Sequence, residues 1–147
     1  MTRNTYVFIS LLVLIATMGA CSSTPFDELP TPISSMISEY FPFGEIESYT
    51  IDEESGNSTV QIKKGARLSF DSDYRWIDVD GRGQTLPQQF LYDQLSPTLY
   101  DYIESIEHQT KVYRVRRTAA TVLVNFSDSD LEYDIVTQTI TYPAAHY

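Results

Sequence analysis

The stretch Leu29-Pro30-x-x-Ile33-x-x-Met36-Ile37-x-x-Tyr40 returns later in the chain as Leu95-Ser96-Pro97-x-Leu99-x-x-Tyr102-Ile103-x-x-Ile106. Both copies place apolar residues at helical spacing behind a proline, whose missing N–H costs nothing in a first helical turn. Further on, Leu68-Ser69-Phe70-Asp71-Ser72-Asp73 has a counterpart in Val124-Asn125-Phe126-Ser127-Asp128-Ser129-Asp130. The order is the same in both halves, a helix and then short alternating strands. Helices segregated from runs of neighbouring strands predict an α+β fold. The expected form is a tandem repeat of helix plus antiparallel sheet, helices packed on one sheet face, with residues 29–85 as the first repeat and 86–147 as the second. Whether the repeats share one sheet is open at this level.

The first helix is expected from Pro32 to Phe41, capped by Thr31 and stopped by Pro42. Alternation then predicts strands at Ile46 to Ile51, Thr59 to Lys63, Arg67 to Asp71 and Tyr74 to Val79. Asp80-Gly81-Arg82-Gly83 breaks the chain. Helices at Pro87 to Gln94 and Pro97 to Glu107 open the second half. Strands at Lys111 to Arg117, Thr121 to Phe126 and Leu131 to Ile140 follow, the last open to interruption, and the tail after Pro143 is expected to fray. The inward set reads Ile33, Met36, Ile37, Ile51, Val60, Ile62, Leu68, Phe70, Ile77, Val79, Leu99, Ile103, Val122, Val124 and Phe126.

The first twenty residues read as an address. Arg3 precedes an apolar run from Tyr6 to Ala16, the pattern of a secretory signal and too short for a membrane span. Thr17-Met18-Gly19-Ala20-Cys21 then resembles the bacterial lipobox, whose cysteine is acylated and becomes the mature N-terminus. The only Cys of the chain falls at the required place. A cleavable signal with a chance Cys is the plainer alternative. The expectation is a signal peptide at 1–20, lipid on Cys21, and a short tether at 21–28 that keeps the folded part close to the membrane. Ser22 resembles the outer-membrane retention pattern, without saying which membrane face the protein occupies.

Composition removes several functions. Twenty acids against ten bases, a formal charge of −10, argue against nucleic acid, which needs cations to displace phosphate counterions. One Cys excludes an intramolecular disulfide, a Cys-rich zinc site and an iron–sulfur cluster. His108 and His146 are the only imidazoles and no Gly-x-Ser-x-Gly occurs, so a nucleophilic triad finds no footing. Asp78-Val79-Asp80-Gly81 resembles part of a calcium loop, but the register puts Trp76 and Pro87 where acids are required. Asp71, Asp73, Asp128, Asp130, Glu132 and Asp134 fit Asx turns and a solvated rim at least as well as a cation site. The expectation is no enzyme, no catalytic residue, no metal ligand and no cofactor.

Leu29-Pro30, the Tyr40-Phe41-Pro42 helix end and Phe70-Asp71-x-Asp73-x-x-Trp76 resemble the PepSY-like, beta-lactamase-inhibitor-like (BLIP-like) secreted lipoproteins of Bacteroidetes. Tyr74 stands near the usual turn glycine, and Glu132 or Tyr133 where a second Trp is usual, which leaves the second half a divergent copy. The resemblance covers roughly Leu29 to Ile135. It implies a tandem α+β fold, secretion and no catalytic residues. Related folds serve as peptidase propeptides or as protein inhibitors that use an exposed sheet face.

Parity along the strands sorts the candidate binding residues. With Leu68, Phe70, Ile77 and Val79 inward, Arg67, Tyr74 and Trp76 face out, and Lys63 follows from Val60 and Ile62. Arg114 and Arg116 share a face of their own strand. Lys63, Arg67, Tyr74, Trp76, Arg114 and Arg116 would thus gather on one outer face of an acidic molecule, in residue types enriched at binding hot spots. Pairing of these cations with neighbouring acids is the plainer alternative, and a bulge in either strand would turn Trp76 inward. A second candidate is the acidic turn at Asp52, Glu53 and Glu54, within a segment from Asp27 to Glu54 that holds eight acids and no base. The expected function is a non-enzymatic envelope lipoprotein of the outer membrane that binds an envelope protein or peptide through its sheet face. The alternatives are an inhibitor of a peptidase or beta-lactamase-type hydrolase, and a Ca²⁺-dependent module.

Overall fold

A computed structural model of the chain describes residues 26–143. A 3₁₀ turn at Phe26–Glu28 leads into α1, Thr31–Tyr40. Four strands follow, β1 (Ile46–Ile51), β2 (Ser58–Ile62), β3 (Arg67–Phe70) and β4 (Trp76–Asp80). Two helices come next, α2 (Gln88–Gln94) and α3 (Pro97–Ser105). The chain then makes β5 (Val112–Arg117), β6 (Thr121–Phe126), β7 (Asp130–Asp134) and β8 (Thr139–Thr141). The strand expected from Leu131 to Ile140 is therefore two, divided by a turn that Asp134 closes through Oδ1, which accepts from the N–H of Val136 at 2.9 Å and of Thr137 at 2.8 Å.

Local chemistry accounts for the helix ends. Pro30, not Thr31, occupies the N-cap of α1, with no side-chain cap, and Pro32 sits in the first turn. The helix closes where the Phe41 N–H donates to Ile37 O at 2.7 Å, just before Pro42. At α3 the Ser96 hydroxyl accepts from Leu99 N–H at 3.3 Å, and Pro97 again opens the helix.

All eight strands form one antiparallel sheet in sequence order, β1 through β8. This overturns the expected tandem of two helix-plus-sheet units: the described residues are mostly sheet, one continuous eight-stranded sheet with three short helices. The deciding contact is β4 against β5, with Asp78 opposite Arg116, Val79 opposite Val115 and Asp80 opposite Arg114. Two separate units would leave these strands as open edges with unpaired backbone groups; joining them satisfies both. The loop after β4 keeps to the same line, Gly81 N–H donating to Tyr113 O at 2.8 Å and Leu86 N–H to Val112 O at 2.7 Å.

One core lies between one sheet face and the helices. It takes Ile33, Ile37 and Tyr40 from α1, Phe90 and Leu91 from α2, and Leu99 and Ile103 from α3. The sheet answers with Val60, Leu68, Phe70, Val79, Val115, Val124 and Leu131, each essentially inaccessible. Among the described residues the opposite sheet face carries no helix. Two expected core residues fall elsewhere: Ile51 is exposed at the end of edge strand β1, and Ile77 is only partly covered.

Candidate functional site

Two register shifts decide what the helix-free face displays. In β3 and β4, Phe70 pairs with Trp76 but Ser69 pairs with Asp78, so Ile77 is bulged. Trp76 and Val79, three residues apart, therefore both point inward. In β5 a second shift falls between Val112 and Arg114, and Val112 and Val115 are both buried.

Trp76 is thus not an outer-face residue. It is 4% exposed, meets Phe90 edge-on at 5.6 Å, and donates its Nε1–H to Gln94 Oε1 at 3.1 Å. Gln94 Nε2 in turn donates to the Tyr40 hydroxyl at 3.0 Å, and that hydroxyl donates to Asp93 Oδ2 at 3.1 Å. The chain of bonds ties β4, α1 and α2 together. Burial, with the Asp93 carboxylate beside it, raises the Tyr40 hydroxyl above its ordinary value, partly offset by the Gln94 bond.

The remaining candidate cations lie on the surface, mostly spoken for. Lys63 pairs with Glu45 at 3.3 Å, both exposed. Arg67 meets Asp80 at 3.5 Å. Arg114 grips Asp78 with two bonds, Nε to Oδ1 at 2.9 Å and Nη2 to Oδ2 at 2.5 Å. That two-pronged contact, outweighing the effect of burial, raises the Arg114 guanidinium above its ordinary value. Arg116, on an exposed position of β5, makes no ion pair among the described residues. Tyr74 is 42% exposed in the β3–β4 turn, held at φ 62°. The outer face therefore brings Arg67, Arg114 and Arg116 together and excludes Trp76, while Tyr74 lies beside Met36 and Tyr40 of α1 and Lys63, just after β2, lies near the end of α1. The same ion pairs occupy Asp78 and Asp80, the acids of the part-resemblance to a calcium loop. Among the described residues no three His, Cys, Asp or Glu side chains gather closely enough to hold a metal ion.

The acidic turn is rigidly built. Asp52 Oδ1 accepts from Glu54 N–H at 2.9 Å and Ser55 N–H at 3.4 Å, while Asp52 N–H donates to Asn57 O at 2.8 Å. These bonds, the one to the Glu54 N–H foremost, hold the Asp52 carboxyl below its ordinary value. Glu53 and Glu54 stay exposed beside it. Cys21 and His146 lie outside the described residues. His108 packs edge-on against Phe126 at 5.0 Å with its Nδ1 2.6 Å from Ile106 O, a structural setting.

One residue escaped the sequence reading. Arg117, last in β5, lays its guanidinium 4.2 Å from the centroid of the Trp76 ring and donates Nη2–H to Trp76 O at 2.7 Å. The doubled arginine at 116–117 was visible in the sequence, but the bulges that set its neighbour were not.

No family model and no curated protein sequence matches the chain. Solved structures do match in fold. A Bacteroides vulgatus protein of the DUF2874 family, provisionally assigned to the periplasm, aligns with a TM-score of 0.66 at 16% identity, over 82% of this chain and 93% of its own. A Bacteroides thetaiotaomicron protein, provisionally described as calcium-regulated and periplasmic, aligns with the same TM-score and identity over 80% and 91%. A second Bacteroides vulgatus protein of unknown function aligns with a TM-score of 0.64 at 16% identity, over 78% and 93%. The chain shares its fold with these Bacteroides proteins; none of the three is named PepSY-like or beta-lactamase-inhibitor-like.

Proposed function

We propose that the protein is a non-enzymatic binding module of the bacterial envelope, tethered to the outer membrane by lipid on Cys21, which engages an envelope protein or peptide through the helix-free face of its sheet. The observation that carries the reading is that face itself, left uncovered by the helices, with Arg116 exposed and without an ion pair among the described residues beside the fixed Arg67–Asp80 and Arg114–Asp78 pairs. Paired charges in register present a pattern that a partner of complementary charge can read, and an unpaired arginine among them is the residue type that binding surfaces use as an anchor. The periplasmic descriptions of the structurally similar Bacteroides proteins support the envelope location.

The test is a crosslinking pull-down from native envelopes with the acylated protein as bait. Arg116→Glu is the control, because this exposed position can be changed without opening the core. Loss of a partner with the variant supports the reading; a partner retained undiminished moves the binding surface elsewhere. One observation favours the inhibitor alternative, the hydrogen-bonded turn at Asp52–Asn57, since a rigid loop loses little entropy on entering a cleft. Glu53→Lys together with Glu54→Lys, assayed against envelope hydrolases, distinguishes the two readings.

A further inference from the structure

The hairpin turns after β1, β3, β5 and β7 lie at one end of the sheet. Between three of them is a cleft of about 470 Å³, walled by Ile77 and Ile135, bordered by Thr118, and lined by Asp71, Arg75 and Arg117. That volume falls in the range of small-ligand sites.

The electrostatics of the cleft are unbalanced. Arg117 is partly buried, and among the described residues it makes no ion pair; its bonded partners are a backbone carbonyl and the face of an indole. A guanidinium taken out of water without a counter-ion is costly. The nearest acid does not serve it. Asp71 Oδ1 accepts from Asp73 N–H at 2.9 Å and Arg75 N–H at 3.0 Å, and Oδ2 accepts from Arg75 Nε at 3.0 Å. Burial first, and then the Arg75 charge, hold the Arg117 guanidinium below its ordinary value, with Asp71 only partly compensating. Arg75 is itself held by two acids, Asp71 at 3.0 Å and Asp73 at 3.4 Å, so among the described residues Arg117 is the cation of the lining left without an ion pair.

We propose that this cleft binds a carboxylate carried on an apolar body, such as the free C-terminus of a peptide ending in an aliphatic side chain. The planar fork of Arg117 matches two carboxylate oxygens, and Ile77 and Ile135 accept the aliphatic group. One guanidinium without an ion pair, beside the paired carboxylate of Asp71, suits a monoanion better than a phosphate dianion. The site does not rest on the sheet-face reading, because its residues are different and its ligand is small.

The chain's only tryptophan, Trp76, lies directly under Arg117 and reports on it. The full-length protein is titrated with N-acetyl-Ala-Leu bearing a free carboxylate, and with the same dipeptide as its C-terminal amide, while tryptophan emission is followed. The expected result is a saturable change with the acid alone, unaffected by inorganic phosphate at equal ionic strength. Arg117→Gln weakens binding about tenfold or more. Ile135→Asp, which puts a negative charge on the wall without touching Trp76, also weakens it and keeps the test decisive if Arg117→Gln disturbs the fold. The proposal is overturned by an equal response to acid and amide, by no saturation up to about 10 mM, by phosphate competing as well as the carboxylate, or by Ile135→Asp binding as tightly as the wild type.

Discussion

Replacing Trp76 by Ala removes an indole that is 4% exposed, packed edge-on against Phe90, covered by Arg117 and hydrogen-bonded to Gln94. Emptying a buried aromatic site costs about 3–5 kcal/mol from lost transfer energy and the cavity left behind. An outer-face tryptophan would cost within about 0.5 kcal/mol. The two positions of Trp76 thus differ by several-fold in a measurable quantity. Urea unfolding followed by far-UV circular dichroism is the suitable assay, since the fluorescent reporter is itself deleted. With a slope near 2 kcal/mol/M for a domain of this size, a loss of about 4 kcal/mol lowers the midpoint by about 2 M. Trp76→Phe separates the components: it keeps a ring against Phe90 and gives up the bond to Gln94, and is expected to cost about 1–2 kcal/mol. A loss below about 1 kcal/mol for Trp76→Ala would refute the inward placement and the bulge that produces it.

Three hairpin-turn aspartates set the acid limb of stability. Asp52 and Asp134 are held below their ordinary value of 3.8 chiefly by turn N–H groups, and Asp71 by Arg75 and Asp73 despite the opposing effect of burial. A carboxyl with a depressed folded-state value contributes stability that is complete above the unfolded value, about 4, and lost as pH falls through the folded one. Melting temperature is therefore expected to drop below about pH 4 in the wild type and to drop less in the Asp52→Asn, Asp71→Asn, Asp134→Asn variant; parallel curves would disprove this. A Cβ at Gly81 would fall 1.9 Å from Gln84 O, so Gly81→Ala must distort the loop that pairs with β5 and is expected to destabilise by about 3 kcal/mol, read as a lowered urea midpoint.

Much of the architecture was legible because it is written in local chemistry. Pro32 and Pro97 mark helix starts, Pro42 a stop, and the predicted strands at Ile46–Ile51 and Thr121–Phe126 coincide with β1 and β6. Each of these depends on a residue's own backbone preference or on alternation within a few positions. Val60, Leu68, Phe70, Val124 and Phe126 were placed inward by the same short-range rule and are buried.

How those elements meet depends on pairing between strands far apart in the chain. Whether β4 and β5 end as two edges or pair into one sheet depends on strands separated by two helices, and no local preference records that choice. The bulges beside Phe70 and Val112 likewise arise between strands, where one extra residue reverses the facing of everything beyond it. That reversal carried Trp76 into the core, left Ile77 on the other side, and placed Arg117 over the indole at the mouth of a cleft. Local sequence marked most of the helices and strands and the residues available to them, but not the start of β8 at Thr139, which a turn closed by Asp134 separates from β7. Side-chain direction at the candidate site was settled by strand pairing, because a period of two has no memory across a bulge.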